Sequence, residues 1–282
     1  MKKYYVLFVW MLSLSRLEAQ ELYVYTEPAS NMPAHSLSLK LSANYNIDKL
    51  HTDRTTQRYI PELMVGISKK LMIHGGASFA DMHTRSFGWE AAYVYVKYRF
   101  LSLDEVHRHF RMAVFGKAAH SKNAFHYDEV SLLDKSGVMA GIIATGLINK
   151  TAVSVSVSNT QILGDARTSK VLYIPERNYQ AMNYSLSAGY LLLPREYTDF
   201  RQTNVNLYAE VLAQQTLDRK THYIDVAPAV QFIFNSISKL NIGYRFQVSG
   251  NMERMAKRSA LVSYEYTFLN VWGKKKKDAA QY

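Results

Sequence analysis

Residues Phe87 to Phe100 read FGWEAAYVYVKYRF. Taken alternately, Ala92, Val94, Val96, Tyr98 and Phe100 share one face, and Trp89, Ala91, Tyr93, Tyr95, Lys97 and Arg99 share the other. This is the pattern of a β-strand, because successive side chains on a pleated strand point to opposite sides. One face is apolar and closes on aromatics, while the other carries two full charges. A soluble sandwich would bury the first face and wet the second. A membrane barrel would turn the first to lipid and the second to its lumen. One strand allows both, so the choice passes to the rest of the chain.

The chain has 282 residues, no cysteine, a formal charge of +11 and an aromatic content of 13%, including 21 tyrosines. Past the N-terminus no run approaches the roughly 18 apolar residues of a helical span. Abundant Tyr and Phe suit the aromatic girdles of a barrel. Without cysteine there are no disulfides and no thiolate metal sites. The positive charge comes with no basic helix, zinc pattern or aromatic RNA-binding signature, so it points to loops, turns and a tail and not to nucleic acid.

Residues 1–20 read as a secretory signal: Lys2 and Lys3, an apolar core from Tyr4 to Leu14, and a cleavage site near Leu17-Glu18-Ala19. Residues 21–35, with Pro28 and Pro33, are too proline-rich for one long strand and are expected to form a periplasmic segment that lies in or under a lumen. Alternating segments of about ten residues then recur. Strands are expected at Ser36–Asn46, Tyr59–Ser68, Met72–Asp81, Gly88–Phe100, His109–Ala119, Val138–Ile148, Ala152–Ser158, Met182–Leu193, Asn204–Ala213, Tyr223–Phe234, Leu240–Val248 and Ser259–Phe268. The connections after the second, sixth and tenth are tight, and those after the fifth and seventh are long and polar. The connections after the fourth and eighth are longer than this rule wants. The fold expected is therefore an all-β, up-and-down antiparallel transmembrane barrel of about twelve strands over residues 36–268, with both termini periplasmic. Residues 269–282, with Lys274 to Lys277, would form a basic periplasmic tail. Pro228 lies inside a strand, where it deletes a ladder bond, so a bulge is expected there.

Alternation turns Leu37, Leu39, Leu41, Ala43 and Tyr45 outward and Ser38, Lys40, Ser42 and Asn44 inward, and it sorts the later strands in the same way. The inward charges are Lys40, Glu62, Lys97, Arg99, Arg111, Lys117, Glu210, Asp225, Arg245 and Glu265. They would either line a basic polar passage or pair across a narrow lumen and plug it. Twelve strands lie between filled and open barrels, so size does not decide.

Met72 and His74 stand out among several Met–His neighbours, since thioether and imidazole without thiolate suit copper in an oxidising compartment. The ordinary reading is that Met packs anywhere and His is common at strand ends. A turn at Lys69–Leu71 would pair Met72 with Ser68, His74 with Gly66 and Met64 with Gly76, all inward. For a lipid hydrolase there is no Gly-x-Ser-x-Gly and no His-Glu-x-x-His. His120 or His126, Ser121 and Asp128 are the residues from which a triad would have to come, and the expectation is that the protein is not an enzyme.

The opening Tyr23-Val-Tyr-Thr-Glu-Pro-Ala-Ser-Asn-Met-Pro-Ala-His-Ser-Leu-Ser38, placed after a signal peptide, resembles that of uncharacterised outer-membrane barrels from Bacteroidetes-type bacteria. The resemblance implies outer-membrane localisation and a barrel fold. Function is left to the residues. They support a monomeric barrel in outer-membrane lipid that passes a small solute, with a metal ion or metal complex among the candidates. The alternatives are a non-conducting scaffold with a periplasmic partner, or a lipid hydrolase.

Overall fold

The computed structural model describes residues 23–48, 52–105, 108–123, 127–164, 178–194, 201–217 and 220–272. The signal segment 1–20, the tail from 273 onward and His126 lie outside them. Twelve strands follow in order: β1 Ser36–Asn46, β2 Thr56–Gly66, β3 Leu71–Ala80, β4 Gly88–Asp104, β5 Arg108–Ser121, β6 Ser136–Ile148, β7 Thr151–Gly164, β8 Gln180–Leu193, β9 Asn204–Thr216, β10 His222–Phe234, β11 Ser238–Gly250 and β12 Arg258–Phe268. Each pairs antiparallel with its sequence neighbours, and β1 closes on β12 from Leu37↔Phe268 to Asn46↔Ser259. The sheet therefore has no edge, and every strand can satisfy its backbone inside lipid.

The faces follow from the alternation. Leu39, Leu41, Val94, Val96, Tyr98, Leu207, Val211, Ile242, Val262 and Tyr264 are exposed on the outer wall, Leu41 by 52%. Their inward neighbours Ser38, Ser42, Lys97, Glu210, Asn241 and Ser263 are buried. A charge on the outer face near mid-bilayer would cost about 2–4 kcal/mol, which accounts for the clean apolar belt.

At one end the connections are short: 67–70, 105–107, 149–150 and 235–237. Asn149, Asn235 and Ser236 take positive φ in two of these turns, and Asn reaches that region through local hydrogen bonding. The connection after β4 is short because β4 runs on to Asp104; that after β8, 194–203, stays long. Both ends of the barrel sequence, Ser36 and Phe268, lie at this short-turn end.

Three local expectations are corrected. The turn after β2 spans 67–70, so Met72 faces Gly66, His74 faces Met64 and Gly76 faces Glu62. The register is two residues off the expected one, which preserves which face each residue takes. In β4 a bulge at Glu90 sets Ala91 opposite Ser78 but Trp89 opposite Phe79, moving Trp89 from the expected inner face to the outer one. The bulge frees Glu90 to turn inward as a buried carboxylate. At the other end of β4 a bulge between Arg99 and Leu101 resets the pairing. Pro228 carries no bulge: its pairing with Ala209 is in register, and the β10–β11 shift falls between Ile224 and Asp225.

Candidate functional site

The lumen is occupied from both ends. From the short-turn end, residues 23–35 rise into the barrel as a strap, held by side chains of the wall. Glu210, fully buried on β9, accepts the backbone N–H groups of Val24 and Tyr25 through Oε1, both at 2.9 Å. Its Oε2 accepts from Thr26 Oγ1 at 2.7 Å and Ser187 Oγ at 3.1 Å. The carboxylate thus serves a backbone that has no strand partner of its own, as a buried chain requires. Further along, Ala29 N donates to Thr145 Oγ1 at 2.9 Å. Lys97 Nζ donates to the carbonyls of Pro28 (2.8 Å) and Ser30 (2.9 Å) and to Glu27 Oε2 (3.1 Å). Arg111 Nη1 reaches Ser30 Oγ at 3.0 Å.

Apolar contacts complete the seat. Tyr23 and Val24 pack with Leu147, Ala152, Tyr208 and Leu261, and the Tyr23 and Tyr208 rings meet edge to face at 5.7 Å. The strap leaves the lumen over Gly66, where a Cβ would lie 2.1 Å from the Pro33 carbonyl oxygen. Only glycine allows so close a backbone approach. His35 N donates to Gly66 O, and Val271 N donates to His35 O.

From the long-loop end, the connection between β5 and β6 folds inward. Val130 and Leu132 are buried with Ile162 and Ala181, and Gln214 on β9 exchanges two hydrogen bonds with the Val130 backbone (2.8 and 3.0 Å). Two charge networks secure it. Arg58 binds Glu90 at 2.9 Å and also Asp134 of the connection. Asp225 is shared by Arg245 (2.5 Å) and Arg254 (2.8 Å), and Arg254 also holds Glu129 of the connection at 3.2 Å. Between these networks lies a cavity of about 220 Å³, lined by Asn44, Arg58, His83, Asp134, Asp225 and Arg254 among others. His83 sits between Glu90 (3.4 Å) and Asp134 (3.6 Å), a triplet of potential metal ligands. Arg58 already neutralises both carboxylates there.

The structure separates the expected lumen charges into three groups. Lys97, Arg111 and Glu210 grip the strap. Lys40 pairs with Glu62 at 3.1 Å and Glu265 with Lys239 at 3.0 Å along the wall, while Lys117 lies 3.9 Å from the Tyr93 ring centroid. Asp225 and Arg245 belong to the long-loop network. Arg99 does not share the lumen proper: its guanidinium donates to Lys69 O at 2.8 Å, at the short-turn rim. Met72 and His74 are both inward and buried, as expected.

Arg58, Glu90, Glu129, Asp134, Lys239 and Arg254 escape the alternation argument. Arg58 lies where β2 starts earlier than its apolar pattern, Glu90 on a bulge and Glu129, Asp134 and Arg254 in connections. The extension Thr56-Gln-Arg58 was the one available signal, since it continues the alternation of β2. Among the described residues, the triad candidates His120, Ser121 and Asp128 do not converge. His120 and Ser121 project to opposite faces of β5, with Ser121 Oγ donating to Leu133 O at 3.2 Å and His120 beside Trp89. The Asp128 carboxylate accepts from Glu253 N and Asn178 Nδ2, and its own N–H donates to Glu253 O.

A closed antiparallel barrel with an apolar outer belt and a charged, hydrogen-bonded interior is an outer-membrane β-barrel. Among solved structures the chain is similar to an outer membrane channel from Pseudomonas putida F1, at 11% identity and a TM-score of 0.55, over 87% of this chain and 100% of that one. It is also similar to the KdgM porin, at 8% identity and a TM-score of 0.46, over 82% of this chain and 99% of that one. No family model matches the chain, and no curated protein matches its sequence.

Proposed function

We propose that this barrel passes a small polar or charged solute across the outer membrane, and that the strap of residues 23–35 is its closure. One observation carries the reading: the strap is seated by polar side chains of the lumen wall, not by the ladder that builds the wall. Removing it therefore clears the short-turn half of the lumen without dismantling a barrel. The channel-like fold supports passage, and the mixed charges of the lumen admit ions or ion complexes, a metal ion or metal complex among them. The chain acts as a monomer in outer-membrane lipid, with the short-turn end and both termini in the periplasm, where a periplasmic partner could draw the strap out.

The test is conductance of the purified protein in planar bilayers, with and without residues 21–35. Steady conductance that rises on truncation supports a strap-closed channel. No conductance in either form refutes passage and favours a sealed scaffold, a reading that the paired Arg58, Arg245 and Arg254 network at the other end would then explain.

A further inference from the structure

We infer that the strap and the β2–β3 wall together form a binding site for one soft monovalent cation, Cu(I) or its analogue Ag(I), with Met32, Met64, Met72 and His74 as ligands. The inference depends on the strap being docked, not on what the barrel passes.

The register brings the donors together. Met64 lies directly opposite His74, and Gly66 directly opposite Met72. Directly opposed residues on one face have Cβ atoms about 4.5–5.5 Å apart. Met64, Met72 and His74 are all buried and inward. The fourth corner of this square is Gly66, which has no side chain, and Met32 of the strap fills it: Met32 Cγ lies 2.9 Å from where a Gly66 Cβ would stand. Met32 also packs against the cluster of Met72, Tyr93 and Tyr95.

His74 supplies the independent sign of a ligand. Its ring is buried between Tyr95 (centroids 4.3 Å) and Tyr93 (5.9 Å), and both Nδ1 and Nε2 are buried without a hydrogen-bond partner. Glu62 Oε1 stands 3.8 Å from Nδ1, beyond hydrogen-bond reach. A buried imidazole ordinarily satisfies at least one nitrogen, because an unmet polar group there is costly. A metal ion on one nitrogen would satisfy it. Three thioethers and one imidazole, without thiolate, form a soft donor set that favours Cu(I) over Zn(II), Mg(II) or Ca(II). Because Met32 lies on the strap and the other ligands on the wall, a bound ion would tie the closure shut.

The test is titration of Ag(I) into the tag-free full-length protein in detergent, alongside Met64→Leu/Met72→Leu, His74→Phe and Met32→Leu. Leucine keeps the volume of methionine, and heat-modifiable migration on a gel confirms that each barrel has folded. The expected result is one Ag(I) per barrel, held at least tenfold more weakly by each variant, with no competition from Zn(II). Equal Ag(I) affinity in folded variants and parent, or no stoichiometric binding by the parent, overturns the site. A barrel that binds Ag(I) but shows no conductance keeps the site and removes the channel reading. A conducting barrel that binds none removes the site alone.

Discussion

Lys97→Met tests the strap at its most polar anchor. In the docked state the Lys97 ammonium is fully buried and donates to two strap carbonyls and to Glu27. Hydrogen bonds to a charged group contribute about 1.5–3 kcal/mol each, and breaking a buried charged cluster costs about 3–5 kcal/mol. Two effects pull the figure toward the lower end. The Glu27 side chain is 35% exposed and can be rehydrated, and removing Lys97 also removes the cost of desolvating it. The expected loss of docking free energy is about 3 kcal/mol, roughly a hundredfold in the docked-to-released ratio at about 1.4 kcal/mol per tenfold. Single-channel recording would read this as a higher open probability. An independent reading comes from labelling: the chain has no cysteine, and Ala29 is fully buried, so a maleimide should label Ala29→Cys faster in the Lys97→Met background. Once residues 21–35 are deleted, Lys97→Met should leave open probability unchanged. An equal effect with and without the strap would place Lys97 in the permeation path or the wall and refute the anchoring argument. So would unchanged labelling.

Gly66→Ala should release the strap without harming the wall, because the new methyl meets the Pro33 backbone at 2.1 Å. Faster Ala29→Cys labelling, with barrel melting unchanged in the strap-deleted form, is the expected result. Leu41→Lys should lower barrel stability by about 2–4 kcal/mol, measured by urea titration in lipid vesicles, since its side chain faces lipid. Acid should free the inner connection. Burial pushes the Asp134 carboxyl upward, but Arg58 and His83 outweigh it and hold it below the usual carboxylate range. A lowered folded-state pKa gives stabilisation that is present above about pH 4 and lost as pH falls through the lowered value. Labelling of Val130→Cys by a dithiodipyridine, which stays reactive toward thiols in acid where a maleimide does not, read against an exposed cysteine at the same pH, should therefore stay slow from neutral pH to about 4 and rise below it, and Asp134→Asn should label quickly already at neutral pH.

What the sequence disclosed divides along a physical line. The strands of the wall were legible because lipid imposes one requirement on every outward position, and a period of two transmits it along the chain. The stretch from Ala91 to Arg99 kept its expected faces for that reason. Trp89 changed face because a bulge is a local event with no periodic trace, and the same is true of the shift at Ile224. The inward position of Met72 and His74 was legible, and their cross-strand partners were not. A slip of two residues leaves every face unchanged, and only the turn geometry chooses between the registers. The anchors divide likewise: Lys97, Arg111 and Glu210 were recognisable as inward charges from alternation, whereas Glu129, Asp134 and Arg254 lie in connections, where no period assigns a side.

The separation of wall from contents bears on how such a barrel could open. Closure of the sheet rests on twelve antiparallel ladders between wall strands. The strap's hold rests on Glu210, Lys97, Arg111 and Thr145 and on the apolar side chains of Leu147, Ala152, Tyr208 and Leu261, spread over β4, β5, β6, β7, β9 and β12. Deleting one anchor should therefore loosen the closure in part and leave the ladder whole. The Lys97→Met/Glu210→Gln double variant makes this quantitative. Lys97 contacts residues 27–30 and Glu210 contacts residues 24–26, so the two share no strap residue. If the strap docks as one rigid body, both losses fall on a single equilibrium and the effects on open probability multiply, as for independent sites. If it peels off in two steps, the first residues to leave dominate and the double variant opens little more than the more open of the two single variants. The wall itself should melt at the same temperature in all four proteins, and a lower melting temperature in the double variant would show that the strap is part of the barrel's stability after all.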